Sequence, residues 1–182
     1  MAQPFRFELN SWVDSVYSTL TTDQRIGQLI MAAAYSHPNQ NNEKELLDLI
    51  QQYQIGGVIF FKGSPQRQLE MLNSLQATSP IPLLVGIDAE WGLNMRLDST
   101  LKFPRQMALA AFDDDSLIYE MGREIGRQCK RLGIHVNFAP VVDVNNNPNN
   151  PVINDRSFGE DKYVVTRKAL AYMRGLQDEG VI

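Results

Sequence analysis

Short runs of consecutive apolar residues alternate along this chain with longer segments whose apolar positions recur every three or four residues. The runs are Leu29–Ala34, Gly56–Phe61, Pro82–Ile87 and Val136–Val142. Unbroken apolarity over so few residues suits strands covered on both faces, as in a parallel sheet. The longer segments predict helices. Asn41–Gln54 sets Leu46, Leu47, Ile50 and Tyr53 on one side, and Pro65–Gln76 does the same with Leu69, Leu72 and Leu75. Asp115–Leu132 carries the stripe Ile118, Met121, Ile125, Cys129 and Leu132, with Gly133 placed to end it in a left-handed turn. Asp161–Glu179 closes the series with Val165, Ala169, Tyr172, Met173 and Leu176 inward. Ser11–Leu20 predicts an opening helix, and Thr21 or Thr22 offers an N-cap for a second one through Gln28. Val181-Ile182 reads as the first step of a fifth strand.

Strands that alternate with helices in this way form parallel β/α units. Two architectures compete at this point: an open, doubly wound sheet and a (β/α) barrel. Both place their sites where strands end on the carboxyl side. Three runs end there on a polar residue: Phe61 meets Lys62, Ile87 meets Asp88, and Val142 meets Asp143. No glycine-rich phosphate-binding signature follows any strand, which counts against a nucleotide fold.

Composition narrows the function classes. The 182 residues are 43% hydrophobic, enough for one domain with a sizeable core. A net charge of −4 gives no basic footprint for nucleic acid. No apolar run reaches the ~18 residues of a membrane-spanning helix. Cys129 is the only cysteine, and His37 and His135 lack any ligand spacing, so neither a disulfide nor a metal site is expected. Cys129 and His135 read as core residues, and Asp113-Asp114-Asp115 as capping for the helix that follows. Met1-Ala2-Gln3-Pro4 has no leader character, yet an Ala-Gln start suits the mature end of an exported chain. A bacterial periplasmic or secreted location is therefore favoured over a cytoplasmic one.

The candidate chemistry lies in two segments. In Gly86–Arg96 a strand ends on Asp88, with Glu90, Trp91 and Arg96 in the loop behind it. Carboxylates accept hydroxyl hydrogens, guanidinium groups donate to sugar oxygens, and an indole can stack on the C–H face of a sugar ring. The plainer reading is a strand-end Asp capping its turn, an Arg paired with it and a packing Trp. In the second segment, Val136–Val142 runs through Asp143 into a loop of asparagines and prolines that holds Asp155 and Arg156. Most of those asparagines are turn formers. Arg156, beside Phe158, is harder to assign to a turn.

Taken together, Leu20–Gln28 (LTTDQRIGQ), Gly56–Phe60 (GGVIF), Val85–Gly92 (VGIDAEWG), Phe103–Ala108 (FPRQMA), Gly133–Asp143 (GIHVNFAPVVD) and Arg156–Asp161 (RSFGED) resemble glycoside hydrolase family 3 in its N-terminal barrel domain. The stretches follow the family's order over nearly the whole chain and are most similar to the β-N-acetylglucosaminidase branch. Trp91 departs from that branch, which commonly has Gly there. The resemblance implies an incomplete TIM-type (β/α) barrel, about the first half of a (β/α)8 fold, as one partial domain over residues 1–182. It implies a retaining hydrolysis of terminal β-glycosides, most closely β-N-acetylglucosaminides, with no cofactor. Asp88 resembles the family's hydroxyl-binding carboxylate, and Arg96 and Arg156 its two sugar-binding arginines; Trp91 and Asp143 would border the same pocket. The family's Lys-His loop, with its acid/base, and its nucleophilic Asp would follow Ile182. No catalytic residue is therefore expected in this chain, and the isolated chain is expected to be inactive. Its unpaired strand edges predict self-association or pairing with the missing half of the barrel. A non-catalytic sugar-binding or scaffold half-domain and an unrelated doubly wound α/β binding protein are the alternatives.

Overall fold

The computed structural model describes residues 11–182, so the Met1–Pro4 stretch lies outside the described residues. Two short helices, α1 (Ser11–Thr19) and α2 (Thr22–Gly27), precede β1 (Met31–His37) and a two-residue return strand, β2 (Gln40–Asn41). Then follow α3 (Glu43–Tyr53), β3 (Gly57–Lys62), α4 (Pro65–Thr78), β4 (Leu84–Ile87), α5 (Gln106–Ala110), α6 (Ser116–Arg131), β5 (Val136–Asn137) and α7 (Lys162–Asp178). Thr21 caps α2 through a reciprocal box with Gln24. Gly133 takes the left-handed conformation at φ +66°, as its place behind α6 predicts.

The sheet order is β2-β1-β3-β4-β5, with β1, β3, β4 and β5 parallel and in chain order. A doubly wound sheet reverses direction partway, and this one does not. The order is that of a barrel wall, left open. Ile182 extends the wall, because Asn137 N–H donates to its carbonyl at 2.8 Å and its own N–H donates to His135 at 2.9 Å.

The two faces of the sheet differ. Ala34, Val58, Phe60, Val85 and Ile87 are buried in one core with the apolar stripes of α3, α4, α6 and α7. The alternate residues Met31, Ile59 and Phe61 are half-buried, and Leu84 and Phe138 are exposed. The strands are apolar on both faces although helices cover only one. The other is the face that a closed barrel turns inward. α6 and α7 meet closely because Gly122 and Gly175 have no side chain: a Cβ would lie 2.4 Å from the Tyr172 carbonyl and 2.2 Å from the Tyr119 carbonyl.

Four local expectations need correction. The first strand begins at Met31, since Leu29 and Ile30 are used by the turn that closes α2, their N–H groups donating to Ile26 and Gly27. β5 stops at Asn137 rather than Val142, because Ala139 N–H turns back to the Asn137 carbonyl and Pro140 has no N–H to continue the ladder. His135 is exposed, not core, and its Nδ1 accepts the Val85 N–H at 3.0 Å. Asp114 does accept the Ser116 N–H, but Asp115 instead pairs with Arg167 and with the buried Lys168 Nζ at 3.0 Å. Cys129 is buried as expected, and burial pushes its thiol up to about 12.

Candidate sugar-binding site

The peptide of Ala89, two residues past β4, is the pivot of the site. Ala89 is fully buried, and its N–H donates to Asn137 Oδ1 at 2.9 Å. Its carbonyl accepts from the buried Tyr172 hydroxyl at 2.9 Å. Burial raises the Tyr172 hydroxyl far above its ordinary range, so it stays a donor. Asp88 and Glu90 flank this fixed peptide.

Each carboxylate meets one arginine. Arg96 follows a 3-10 turn at Leu93–Met95, and its Nη2 donates to Asp88 Oδ2 at 2.6 Å. Its guanidinium lies 4.8 Å above the Phe61 ring at the end of β3. Next to it, Leu97 bridges to Gly63, which fastens the loop to the neighbouring strand end. The Arg96 Nε is buried and has no partner. The plainer reading of this segment, Arg96 paired with Asp88, is thus realised, and the pair stands at the carboxyl end of β4.

Glu90, named in the candidate segment but given no role or partner by the sequence, holds the second arginine. Its side chain is only 4% exposed and accepts from Arg156 three times: Nη2 to Oε1 at 2.6 Å, and Nε to Oε1 and Oε2 at 3.2 and 3.0 Å. These hydrogen bonds hold the Arg156 guanidinium above its ordinary range against a partial desolvation penalty, and the fields of Glu90, Asp143 and Asp88 add to the effect. Arg156 therefore lies within electrostatic reach of Asp88 and Asp143. The Arg156 Nη1 also donates to the Val152 carbonyl at 3.3 Å. Two signals point to the role of Glu90: its spacing of two from Asp88, and an arginine in a loop that needs an acid.

The loop bearing Asp143 and Arg156 is closed at its base. Buried Ser157 donates its hydroxyl to the Asp143 carbonyl at 2.5 Å, Asn145 N–H donates to Gly159, and buried Phe158 anchors the end. Asp143 itself is exposed at the rim. Trp91 carries the Arg105 guanidinium 4.4 Å over its ring, so one face of the indole is taken by a cation. Gly92, at φ +90°, makes the turn that follows, where a Cβ would strike Phe103. A groove of about 450 Å³ lies at the opposite, amino-terminal end of the strands, lined by Trp12, Tyr17, Leu29, Ile30, Met31 and Leu84. Among the described residues no group of three His, Cys, Asp or Glu side chains could hold a metal ion, and no helix is long and apolar enough to cross a membrane.

The arrangement presents two guanidinium groups and three carboxylates from one sheet end, a donor and acceptor set suited to a polyhydroxylated ring. The model of the glycosyl hydrolase family 3 N-terminal domain matches residues 21–182. The beta-hexosaminidase A of Pseudoalteromonas piscicida is 34% identical over 94% of this chain and 34% of its own. A beta-N-acetylglucosaminidase/beta-glucosidase of Cellulomonas fimi is 28% identical over 99% of this chain and 32% of its own. Among solved structures, a family 3 beta-N-acetylglucosaminidase from Paenibacillus sp. str. FPU-7 superposes with a TM-score of 0.78 at 36% identity, covering 90% of this chain and 32% of that one. The beta-glucoside phosphorylase BglX bound to 2FGlc superposes at 0.86 with 29% identity, covering 94% and 31%. The chain spans about a third of the length of these relatives.

Proposed function

The chain belongs to glycosyl hydrolase family 3, and from that premise we propose that it supplies the sugar-gripping part of a retaining β-glycosidase acting on terminal β-linked N-acetylglucosamine. Asp88, Arg96 and Arg156 grip the ring hydroxyls, and Asp143 and Trp91 border them. The observation that carries the reading is the convergence of the Asp88–Arg96 and Glu90–Arg156 pairs beside one fixed peptide at the carboxyl end of β4. Preorganised side chains of this kind bind without paying for their own ordering.

The same geometry argues that this part of the site binds rather than reacts. A retaining glycosidase needs one carboxylate free to attack and a second group ready to hand over a proton. Asp88 and Glu90 both accept from guanidinium donors. Glu90 is committed to orientation by both oxygens, whereas Asp88 engages one oxygen with Arg96 and offers the other to a sugar hydroxyl. Asp143 stands at the rim without such a partner, and the family resemblance assigns it neither role, so we read the isolated chain as a sugar-binding half-site without turnover.

The sugar preference rests on the beta-hexosaminidase relative at 34% identity and the beta-N-acetylglucosaminidase structure at 36%. A β-glucoside is the second reading, supported by the superposition on the glucoside phosphorylase. Calorimetry with N-acetylglucosamine and with glucose separates them. N-acetylglucosamine is expected to bind more tightly, and Arg156→Ala to weaken it about tenfold or more, the worth of one charged hydrogen bond. Chromogenic β-N-acetylglucosaminide is expected to remain intact. Equal affinity of both proteins for the sugar would remove Arg156 from the site, and turnover would overturn the assignment of roles.

A further inference from the structure

We infer that Arg105 is a positioning residue for Arg156, acting through Asp155 and seated on Trp91. The inference rests on the reading of Arg156 as a sugar ligand. Arg156 ends a one-turn 3-10 helix, Asn154–Arg156, which begins with Asn154 in the left-handed region at φ +36°. That turn contributes no buried residue to the core. Ser157 and Phe158 anchor the chain just beyond it, and within the turn the orientation is set by contacts of its own side chains. Asp155 accepts from Arg105 Nη1 with both oxygens, at 2.7 and 2.9 Å. The neighbouring Arg156 reaches Glu90. Both ends of the two-residue unit are held by the segments around Trp91.

Residues 103–106 also brace the backbone of Glu90 and Trp91. Phe103 N–H donates to the Trp91 carbonyl at 3.0 Å, and the buried Gln106 Nε2 donates to the Glu90 carbonyl at 3.2 Å. The result is a closed circuit: Glu90 to Arg156, along the chain to Asp155, across to Arg105, onto the Trp91 ring and back to Glu90. A glycine at position 91 would leave Arg105 without a ring to lie on. Trp91 thus reaches the sugar indirectly, by fixing the guanidinium that fixes Asp155.

Arg105 and Asp155 are both substantially exposed, with side chains 42% and 47% accessible. An exposed ion pair and an exposed cation–π contact are each weak. They bias a loop without holding a fold. The arginine Nε–Hε signals read this directly. Arg156 Nε–H, identified by its loss in Arg156→Lys, is protected by Glu90, and Arg123 Nε–H, bonded to Glu179 at 3.0 Å, serves as a control far from the circuit.

Arg105→Ala is expected to speed hydrogen exchange at Arg156 about 3- to 10-fold, the combined worth of the two weak contacts, and to leave Arg123 unchanged. Trp91→Gly should do the same, Trp91→Phe should preserve the wild-type rate, and the double variant should add nothing to either single. Unchanged Arg156 exchange in Arg105→Ala overturns the proposal. So does an acceleration shared equally by Arg123, which would make Arg105 a general stabiliser. N-acetylglucosamine affinity should fall by the same factor in Arg105→Ala. If the wild-type chain binds no N-acetylglucosamine, the sugar reading fails, while the exchange rates still decide the role of Arg105.

Discussion

Removing the Glu90 carboxylate tests whether the site is held together as described. Glu90 accepts three N–H contacts at 2.6 to 3.2 Å and is nearly inaccessible, whereas the Arg156 side chain keeps 29% of its surface in water. Breaking a buried pair typically costs about 3–5 kcal/mol. Arg156 retains solvent and the Val152 carbonyl, so Glu90→Ala should fall below that range, at about 2–3 kcal/mol. For a chain of this length that corresponds to a fall of about 5–10 °C in Tm. Arg156→Ala strands the more deeply buried partner and should cost more, about 3–4 kcal/mol. Glu90→Gln keeps one acceptor and should fall between wild type and Glu90→Ala. The double variant should cost less than the sum of the singles, since each already removes the shared interaction. Urea unfolding followed by circular dichroism measures all four. A Glu90→Ala cost under about 0.5 kcal/mol, the worth of an ordinary surface pair, would refute the argument, as would Arg156→Ala being milder than Glu90→Ala.

Three further outcomes follow from the packing. Gly175→Ala should cost about 2–3 kcal/mol, because its Cβ would meet the Tyr119 carbonyl at 2.2 Å and push α6 from α7; Gly180→Ala, with open space around it, should cost about 1 kcal/mol from its φ of +81° alone. Thermal unfolding compares the two. Cys129 should resist thiol reagents at pH 8 in the folded chain and react once unfolded. Its folded thiol is raised from 9.0 to about 12, so its contribution to stability is full below pH 9 and is lost as pH rises toward 12. Leu84, Phe138 and Val142 are 44%, 51% and 63% exposed on or near the uncovered face, so the isolated chain should self-associate at micromolar concentration. A sharp monomer peak in size-exclusion chromatography would contradict that.

The parts legible in the sequence are those governed by local periodicity and by strand ends. The stripe of α6, its terminal Gly133 and the strand-end position of Asp88 all follow from spacing within one segment. Arg96, eight residues from Asp88, could be suspected for the same reason. The partnership of Glu90 with Arg156 spans 66 residues and exists only after β4 and the Asn/Pro loop are brought together. That Arg105 lies on one face of the Trp91 indole is likewise hidden, because the two residues meet only in the fold. His135 misled because an apolar run suggested burial, when the strand edge needed an acceptor for the Val85 N–H. The end of β5 was hidden in plain residues: Pro140 forbids the ladder that Val141 and Val142 otherwise suggest.

Chemical-shift mapping of the labelled chain with N-acetylglucosamine bears most directly on the claim that one mouth at the carboxyl ends of the strands grips a saccharide. The expected result is saturable perturbation at Asp88, Ala89, Glu90, Arg96 and Arg156, with Trp12, Tyr17 and Leu29 in the groove at the other end unmoved. Perturbation confined to that groove, or a spectrum unaltered by the sugar, would contradict the account.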